Sequence, residues 1–302
     1  MDINRENLEV LFQDFCVAFT NGFNSGRETT IRDSVAMEVP STSSSVLHSW
    51  LNQIPKIREW LGDRVVNNIE SNSFTIANRK FESTIEIPRE DIEDDQHGLY
   101  RPLATLMGQN AAVHPDELLV DTMVANANWG GDDAAFFSDA RTYGANTIDN
   151  LSGTALDASE FETAYANMTS YLGHNSEPLA VIPKFLVFGP SNRTTAFDIL
   201  ENDFRATAAS DGVAVMNRNR GLVQPIQSAR LVGANSAKWF LLGEQAGLRA
   251  PVLQKRKDPE FQASRFRDDS DYVFETDKYQ MGTRARYAAF LSLPHLAYFG
   301  DA

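Results

Sequence analysis

The sequence predicts an α+β fold, and three observations carry that reading. Helical periodicity and strand-like alternation fall in separate blocks, so helices and strands are segregated. Apolar residues make up 42% and charged residues 23%, which suits a globular core. The single cysteine, Cys16, rules out an internal disulfide framework and fits a reducing compartment. A chain of 302 residues has room for one large domain or two modest ones.

The elements follow in order. Leu8, Leu11, Phe12, Phe15 and Phe19 are spaced as one face of a helix over roughly 4–20. A polar stretch, Asn21 to Arg32, leads to the extended, Ser-rich run Val39-Pro40-Ser41-Thr42-Ser43-Ser44-Ser45, so the N-terminal part reads as an arm that lies on a neighbour. Residues 64–89 read as β. Phe74 and Ile76, then Phe81, Ile85 and Ile87, alternate with polar residues around a turn at Ala77-Asn78-Arg79-Lys80. A lone hairpin is marginal in water, so this one needs something to lie on.

Acids Glu90, Asp91, Glu93, Asp94 and Asp95 open a helical block, where the helix dipole favours negative charge. Leu99, Leu103, Leu106 and Met107 continue it. Pro115 predicts a break, hence two helices over 91–112 and 115–127. Composition is loop-like from Trp129 to Gly153. Asp157 and Ser159 then cap a helix with the stripe Phe161, Tyr165, Met168 and Leu172. Ala180 to Phe188 reads as a buried strand with Pro183 at a bulge. Ser191 opens a helix with Phe197, Leu200 and Phe204 inward. Strands are expected at 229–232, 237–242, 252–257, 272–279 and 283–292.

Charge narrows the function classes. Twenty-seven basic residues against 41 acidic ones give a net charge of −14, opposite in sign to a nucleic-acid reader. Twenty arginines against seven lysines suit bidentate ion pairs at interfaces. The first ten residues carry three acids and one Arg, unlike a secretory leader, and no run reaches the ~18 apolar residues of a membrane span. Glu93 and His97 share a helix face and, with Asp95, could hold a hard cation in a small hydrolase or metal enzyme. An acidic first turn explains them better. His114-Pro115-Asp116-Glu117 reads as a helix start, Cys16 as a small core residue, and the basic run Lys255-Arg256-Lys257 as a charge-mixed surface. No nucleophile elbow, zinc-protease, phosphate-loop or dinucleotide motif is present. The reading is therefore no enzyme, with no catalytic, cofactor or metal residues.

Residues 50–118 carry a more specific signal. Trp50-Leu51, Ile54-Pro55, Arg58-Glu59-Trp60-Leu61-Gly62-Asp63-Arg64, Asn78-Arg79-Lys80-Phe81-Glu82, Pro88-Arg89, Ile92 to Tyr100 and His114 to Leu118 occur in that order. Order and spacing resemble the Mu-like prophage major head subunit family, the major capsid proteins of Mu-type tailed phages, and Phe136-Phe137 extends the likeness. One departure stands out. The family often has Tyr-Asp-Gly before this Phe-Phe and a His after it; here Gly131-Asp132-Asp133-Ala134-Ala135 precedes it and Asp139-Ala140-Arg141 follows.

The resemblance implies the Hong Kong ninety-seven-type capsid fold. Residues 1–45 would be the N-terminal arm and 64–90 the extended loop hairpin, completed by a neighbouring subunit. Residues 46–63 and 91–144 would form the peripheral domain with its spine helices, 145–240 the axial domain, and 241–302 a return to the peripheral domain. It implies a virion shell protein assembling as hexamers and pentamers in the host cytoplasm around DNA held without sequence preference. Scaffold, maturation protease and portal proteins would be partners, and no membrane. A minor head or tail structural protein is the alternative within phages. The expected subunit contacts are Arg79, Lys80, Phe81, Ile85 and Ile87 of the hairpin and Glu93, Asp94 and Asp95 of the acidic turn. Lys80 is the only Lys in the hairpin, so it alone could form the Lys–Asn cross-link that some shells of this fold use; none is expected here.

Overall fold

Apolar residues at helical spacing at one end of the chain, and long alternating strands at the other, are brought onto one another in the computed structural model, which describes residues 5–51, 71–94, 96–173, 176–206, 214–265 and 270–302. The first helix, α1 (Arg5–Glu28), buries Leu8, Leu11, Phe15, Ala18 and Phe19 as its spacing predicts. It runs eight residues past the expected end. Gly22 and Gly26, which read as loop formers, are where two helix backbones touch: a Cβ on Gly22 would lie 2.0 Å from the Thr105 carbonyl oxygen. A short helix α2 (Arg32–Val35) and strand β1 (Met37–Pro40) follow.

The next strands depart from the expected hairpin. β2 (Ser45–Leu51) pairs antiparallel with β3 (Ser71–Ala77), whereas β4 (Arg79–Pro88) pairs with a strand from the far end of the chain. Residues 52–70, which include Arg58, Arg64 and the first part of the expected hairpin, lie outside the described residues. One residue, Asn78, separates β3 from β4, too few for a two-residue reversal. Its side chain donates to Ser41 Oγ (2.8 Å) and the Ser43 carbonyl (2.9 Å), and accepts from Gln254 Nε2 (2.8 Å), so the chain crosses from one sheet to the next.

A short helix α3 (Arg89–Glu93) leads to α4 (Arg101–Ala125), which passes through Pro115 without ending. Proline removes one rung of the helix ladder and crowds the carbonyls of the preceding turn. Here Arg32 donates to the Ala112 carbonyl at 2.7 Å, supplying a donor from outside the helix. α1 and α4 lie side by side in the same direction: Asp14 meets Arg101 at 3.4 Å, and Gly108 packs on the backbone of Phe19 and Phe23.

Beyond α4 come β5 (Arg141–Tyr143), β6 (Asn146–Ile148), β7 (Leu151–Ser152) and α5 (Ala158–Ser170), whose N-cap Asp157 accepts from Glu160 N at 2.7 Å. β8 (Ile182–Phe188) has its bulge at Pro183–Phe185, where the pairing skips a residue. Then follow α6 (Arg193–Leu200), β9 (Phe204–Ala206), β10 (Ala214–Met216), β11 (Gln224–Gln227), β12 (Trp239–Gln245), β13 (Leu248–Arg249), β14 (Pro251–Arg265), α7 (Asp271–Thr276), β15 (Lys278–Leu291) and β16 (Ala297–Gly300). Residues 229–232 are not a strand, and 271–276 are helical where a strand was expected.

Two main sheets result. One has the order β1-β14-β15-β4 and lays its apolar face on α1 and α4. The other has the order β11-β8-β12-β16-β7, with β13 on β12, and holds Trp239, Phe240, Phe299 and Phe188 at its centre. The C-terminal segment does not simply return to the first sheet: β14 and β15 do, but β16 pairs with β12 in the second. The N-terminal arm is docked within its own chain, through the α1–α4 contact, parallel β1–β14 pairing and stacking of Phe19 on Phe261 at 4.9 Å.

Candidate assembly surfaces

The expected contact residues fall into two groups. Ile87 is fully buried, and Ile85 packs half-buried on the α1 core. Phe81 stacks on Tyr287 at 4.7 Å and meets the tilted His114 ring at 4.6 Å, with the Arg79 guanidinium 5.3 Å from the Phe81 ring centre. The expectation that Phe81, Ile85 and Ile87 stay uncovered within one subunit is therefore corrected. Alternation identified their apolar face, but β15, some 190 residues away in the chain, provides the pairing. Arg79 and Lys80 remain exposed.

The acidic turn is also partly engaged at home. Arg89 Nε donates to Glu93 Oε1 at 3.0 Å, and Tyr100 Oη donates to Asp91 Oδ2. Asp94 is exposed; Asp95 lies outside the described residues, as does the side chain of His97. Two of the three candidate ligands, Asp95 and the His97 side chain, thus lie outside the described residues, and among the described residues no three His, Cys, Asp or Glu side chains converge.

Just below this turn, Tyr272 Oη (2.5 Å), Gln280 Nε2 (2.6 Å) and Lys278 Nζ (3.3 Å) all donate to Glu86. The Tyr272 bond, then those from Gln280 and Lys278, hold its carboxyl down at about 2. The outer face of β4 and β15 is therefore fixed and charged at neutral pH.

What sequence reasoning missed is a set of exposed apolar side chains. Leu99, Leu103 and Leu106 belong to a helical stripe but face outward at 71%, 41% and 53% exposure, because Ala104, Met107 and Gly108 take the inner positions. Phe274 of α7 is 92% exposed, and Phe204, expected inward, pairs with Met216 across the β9–β10 ribbon, both exposed. The signal available was Phe274 next to Glu275, within the acid-rich stretch from Asp268 to Asp277. Isolated apolar residues on a surface are ordinary; a stripe of three leucines suits a surface meant to be covered.

Near Phe136-Phe137 the departure from the family pattern has a structural counterpart. Buried Arg141 pairs with Asp132, donates to the carbonyls of Ala135 and Phe136, and lies over Trp129 at 5.4 Å. That set closes the loop and presents both phenylalanines to the core, where each is 1% exposed.

No described helix is long and apolar enough to cross a membrane. The family described as "Mu-like prophage major head subunit gpT" matches residues 8–150, 142–231 and 215–301. The major capsid protein of Escherichia phage Mu is 42% identical over 87 residues, 29% of this chain and 28% of that protein. The Mu-like prophage FluMu major head subunit of Haemophilus influenzae is 33% identical over 146 residues, 48% of this chain and 47% of that protein. The matched stretches thus span less than half the length of these curated relatives. Among solved structures, the bacteriophage JBD30 capsid aligns with a TM-score of 0.59 at 25% identity, over 68% of this chain and 91% of that one. A virus-like particle from Pyrococcus furiosus aligns at 0.55 and 10% identity, over 95% of this chain and 98% of that one, a likeness of fold alone. The mixed α+β architecture with several sheets is that of the Hong Kong ninety-seven-type capsid fold, a fold of structural proteins rather than enzymes, and with the family matching almost end to end the chain belongs to the Mu-like prophage major head subunit family.

Proposed function

We propose that this chain is the major shell subunit of a tailed-phage head, assembling with copies of itself into an icosahedral container for double-stranded DNA. In this reading α4 and the four-stranded sheet form the peripheral domain, the six-stranded sheet forms the axial domain, and the β2–β3 hairpin is the extended loop that lies on a neighbouring subunit. The observation that supports it best is where uncovered apolar groups sit. Leu47 on the hairpin, Leu99, Leu103 and Leu106 at the start of the spine, Phe274 on α7 and Phe204 with Met216 on the ribbon are spread over the surface rather than gathered in one pocket. That distribution fits heterologous contacts closing into rings and a shell. Many weak contacts then act together once a subunit has docked.

The exposed Arg79 and Lys80 and the exposed Glu90 and Asp94 are the charges we assign to contacts between subunits. A net charge of −14 per chain suits an inner wall that does not adhere to packaged DNA. Scaffold, maturation protease and portal proteins would act on it during assembly in the host cytoplasm. The test is purification followed by sedimentation and negative-stain imaging. Capsomers or closed particles are expected. A small oligomer that stays small in the presence of its scaffold would overturn the reading.

A further inference from the structure

We propose that Asp116 and Arg32 form a proton-gated clamp between the N-terminal arm and the spine helix: the segment following α1 is held tightly on α4 when Asp116 carries a proton and loosely when it does not. The clamp sits where the spine is weakest, at Pro115. Asp116 Oδ2 accepts the Ile31 backbone N–H at 2.6 Å, and Arg32 Nη1 donates to the Ala112 carbonyl at 2.7 Å. One arm segment thus makes both bonds to the turn that proline interrupts.

The arrangement is built for a neutral carboxyl. Asp116 is 8% exposed and Arg32 5% exposed. Asp116 Oδ1 and Arg32 Nε are both buried without a hydrogen-bond partner, and the guanidinium stands 3.9 Å from Oδ1. A buried carboxylate oxygen with no donor is costly. A protonated carboxyl keeps the bond from Ile31 and loses the buried charge.

The charged surroundings do not reverse this. From the arm, Asp33 repels the carboxylate while Arg32 attracts it. From β1, Glu38 Oε1 lies 3.7 Å from Arg32 Nε and shares its charge, and Lys255 of β14 binds Glu38 in turn at 3.0 Å. Tyr287 of β15 stays neutral, its phenol pushed up by burial. On α4 itself, burial lowers the His114 imidazole below its ordinary value and Glu117 adds negative charge. Burial dominates, lifting the Asp116 carboxyl from 3.8 to about 6 against the Ile31 and Arg32 interactions that lower it. The folded group then binds more protons than the released one between those values, so the clamp weakens as pH rises.

The clamp acts within one chain, so its test reads the unassembled subunit, whatever that subunit builds. Hydrogen exchange of the amides of residues 29–36, corrected for the intrinsic pH dependence of exchange, should show opening about tenfold more favourable at pH 7.5 than at pH 5. Asp116→Asn should give the acid-like protection at both pH values, and His114→Gln should leave the tenfold dependence in place. Equal protection at the two pH values in the parent, an Asp116→Asn protein that keeps the dependence, or a His114→Gln protein that loses it would each overturn the clamp. Should Asp116→Asn fail to fold, carboxyl-carbon NMR titration of the parent decides the matter: a midpoint near 6 supports the clamp, and one below about 4.5 removes it.

Discussion

β12 buries five consecutive residues, Trp239 to Gly243, whereas β4, a longer strand, buries only Ile87. The two strands typify their sheets. The six-stranded sheet mixes parallel and antiparallel pairs, with β8 and β12 hidden on both faces as in buried α/β sheets. Phe240 stacks on Phe299 at 4.6 Å, and Phe137 tilts against both. The four-stranded sheet has strands of 15 and 14 residues, one face on α1 and α4, and an outer face carrying Glu86, Lys278 and Arg284. The difference separates two jobs within one chain. The six-stranded sheet supplies the stacked rings at the centre of the main core, while the four-stranded sheet reaches that core through Leu253, Ala285, Tyr287 and Leu291 and forms a long platform that also leans on helices docked by close glycine contacts.

The sharpest way to break this comparison is to empty the aromatic centre of the six-stranded sheet. Phe240→Ala should cost about 3–5 kcal/mol in denaturant unfolding of the unassembled subunit, because a stacked ring is removed where nothing can collapse inward. Phe81→Ala, at a half-buried ring on the platform, should cost no more than about half as much. Equal losses would mean that the platform ring is held as tightly as the ring at the aromatic centre.

The pH dependence of stability should also divide between the halves. His295, wholly buried beside Gln245 of the six-stranded sheet at 3.0 Å, is pushed down to about 4 by burial. The unfolded chain then binds more protons between about 4 and 6.5, so stability falls as pH drops through that window, by up to about 2–3 kcal/mol. Asp116 has the opposite sign: its contribution is present in acid and is lost as pH rises toward about 6. Replacing His295 with Gln should remove the acid-side loss and expose the Asp116 slope in urea midpoints measured from pH 4 to 7. An unchanged acid limb would mean that His295 is not the group that titrates.

Smaller again is the expected effect of Gly22→Ala. The added methyl meets the Thr105 carbonyl, so α1 must shift on α4, at about 1–3 kcal/mol. Tryptic cleavage at Arg5 or Arg27 should accelerate while the six-stranded sheet keeps its exchange protection. Protection lost equally in both sheets would contradict an arm docked as a separate layer.

These outcomes bear on what the sequence made legible. Local signals read true: the Asp157 cap, the Phe161–Met168 stripe and the Pro183 bulge each depend on residues close in the chain. The candidate surfaces were harder, for three physical reasons. A period of two marks the apolar face of β4 but not the strand that pairs with it. A glycine pair reads as a turn until a second helix backbone is placed against it. A helical stripe containing both Leu103 and Met107 does not say which neighbour faces in, and here the small residues Ala104 and Gly108 decide, because they let α1 and the sheet approach. Pro115 failed as a helix boundary although it lacks the N–H that would bond the Ala111 carbonyl; Arg32, 80 residues before Ala112, caps the neighbouring Ala112 carbonyl from outside the helix.

The leucine stripe provides the finest test of the platform reading. Leu103 and Leu106 are exposed in the single chain, so polar replacement removes little buried area and should change the unfolding free energy by no more than about 0.5 kcal/mol. In a shell each leucine would be covered, and full burial of such a side chain is worth about 1.5–3 kcal/mol. Leu103→Gln combined with Leu106→Gln should therefore leave the urea midpoint of the subunit unmoved while lowering particle yield in sedimentation. The same pair of changes distinguishes two uses of an exposed stripe. If yield and midpoint are both unaffected, the stripe is ordinary surface and the platform docks elsewhere. If the midpoint falls with the yield, the leucines support the spine within their own chain, and the reading of the platform as a surface completed by neighbours loses its support at α4.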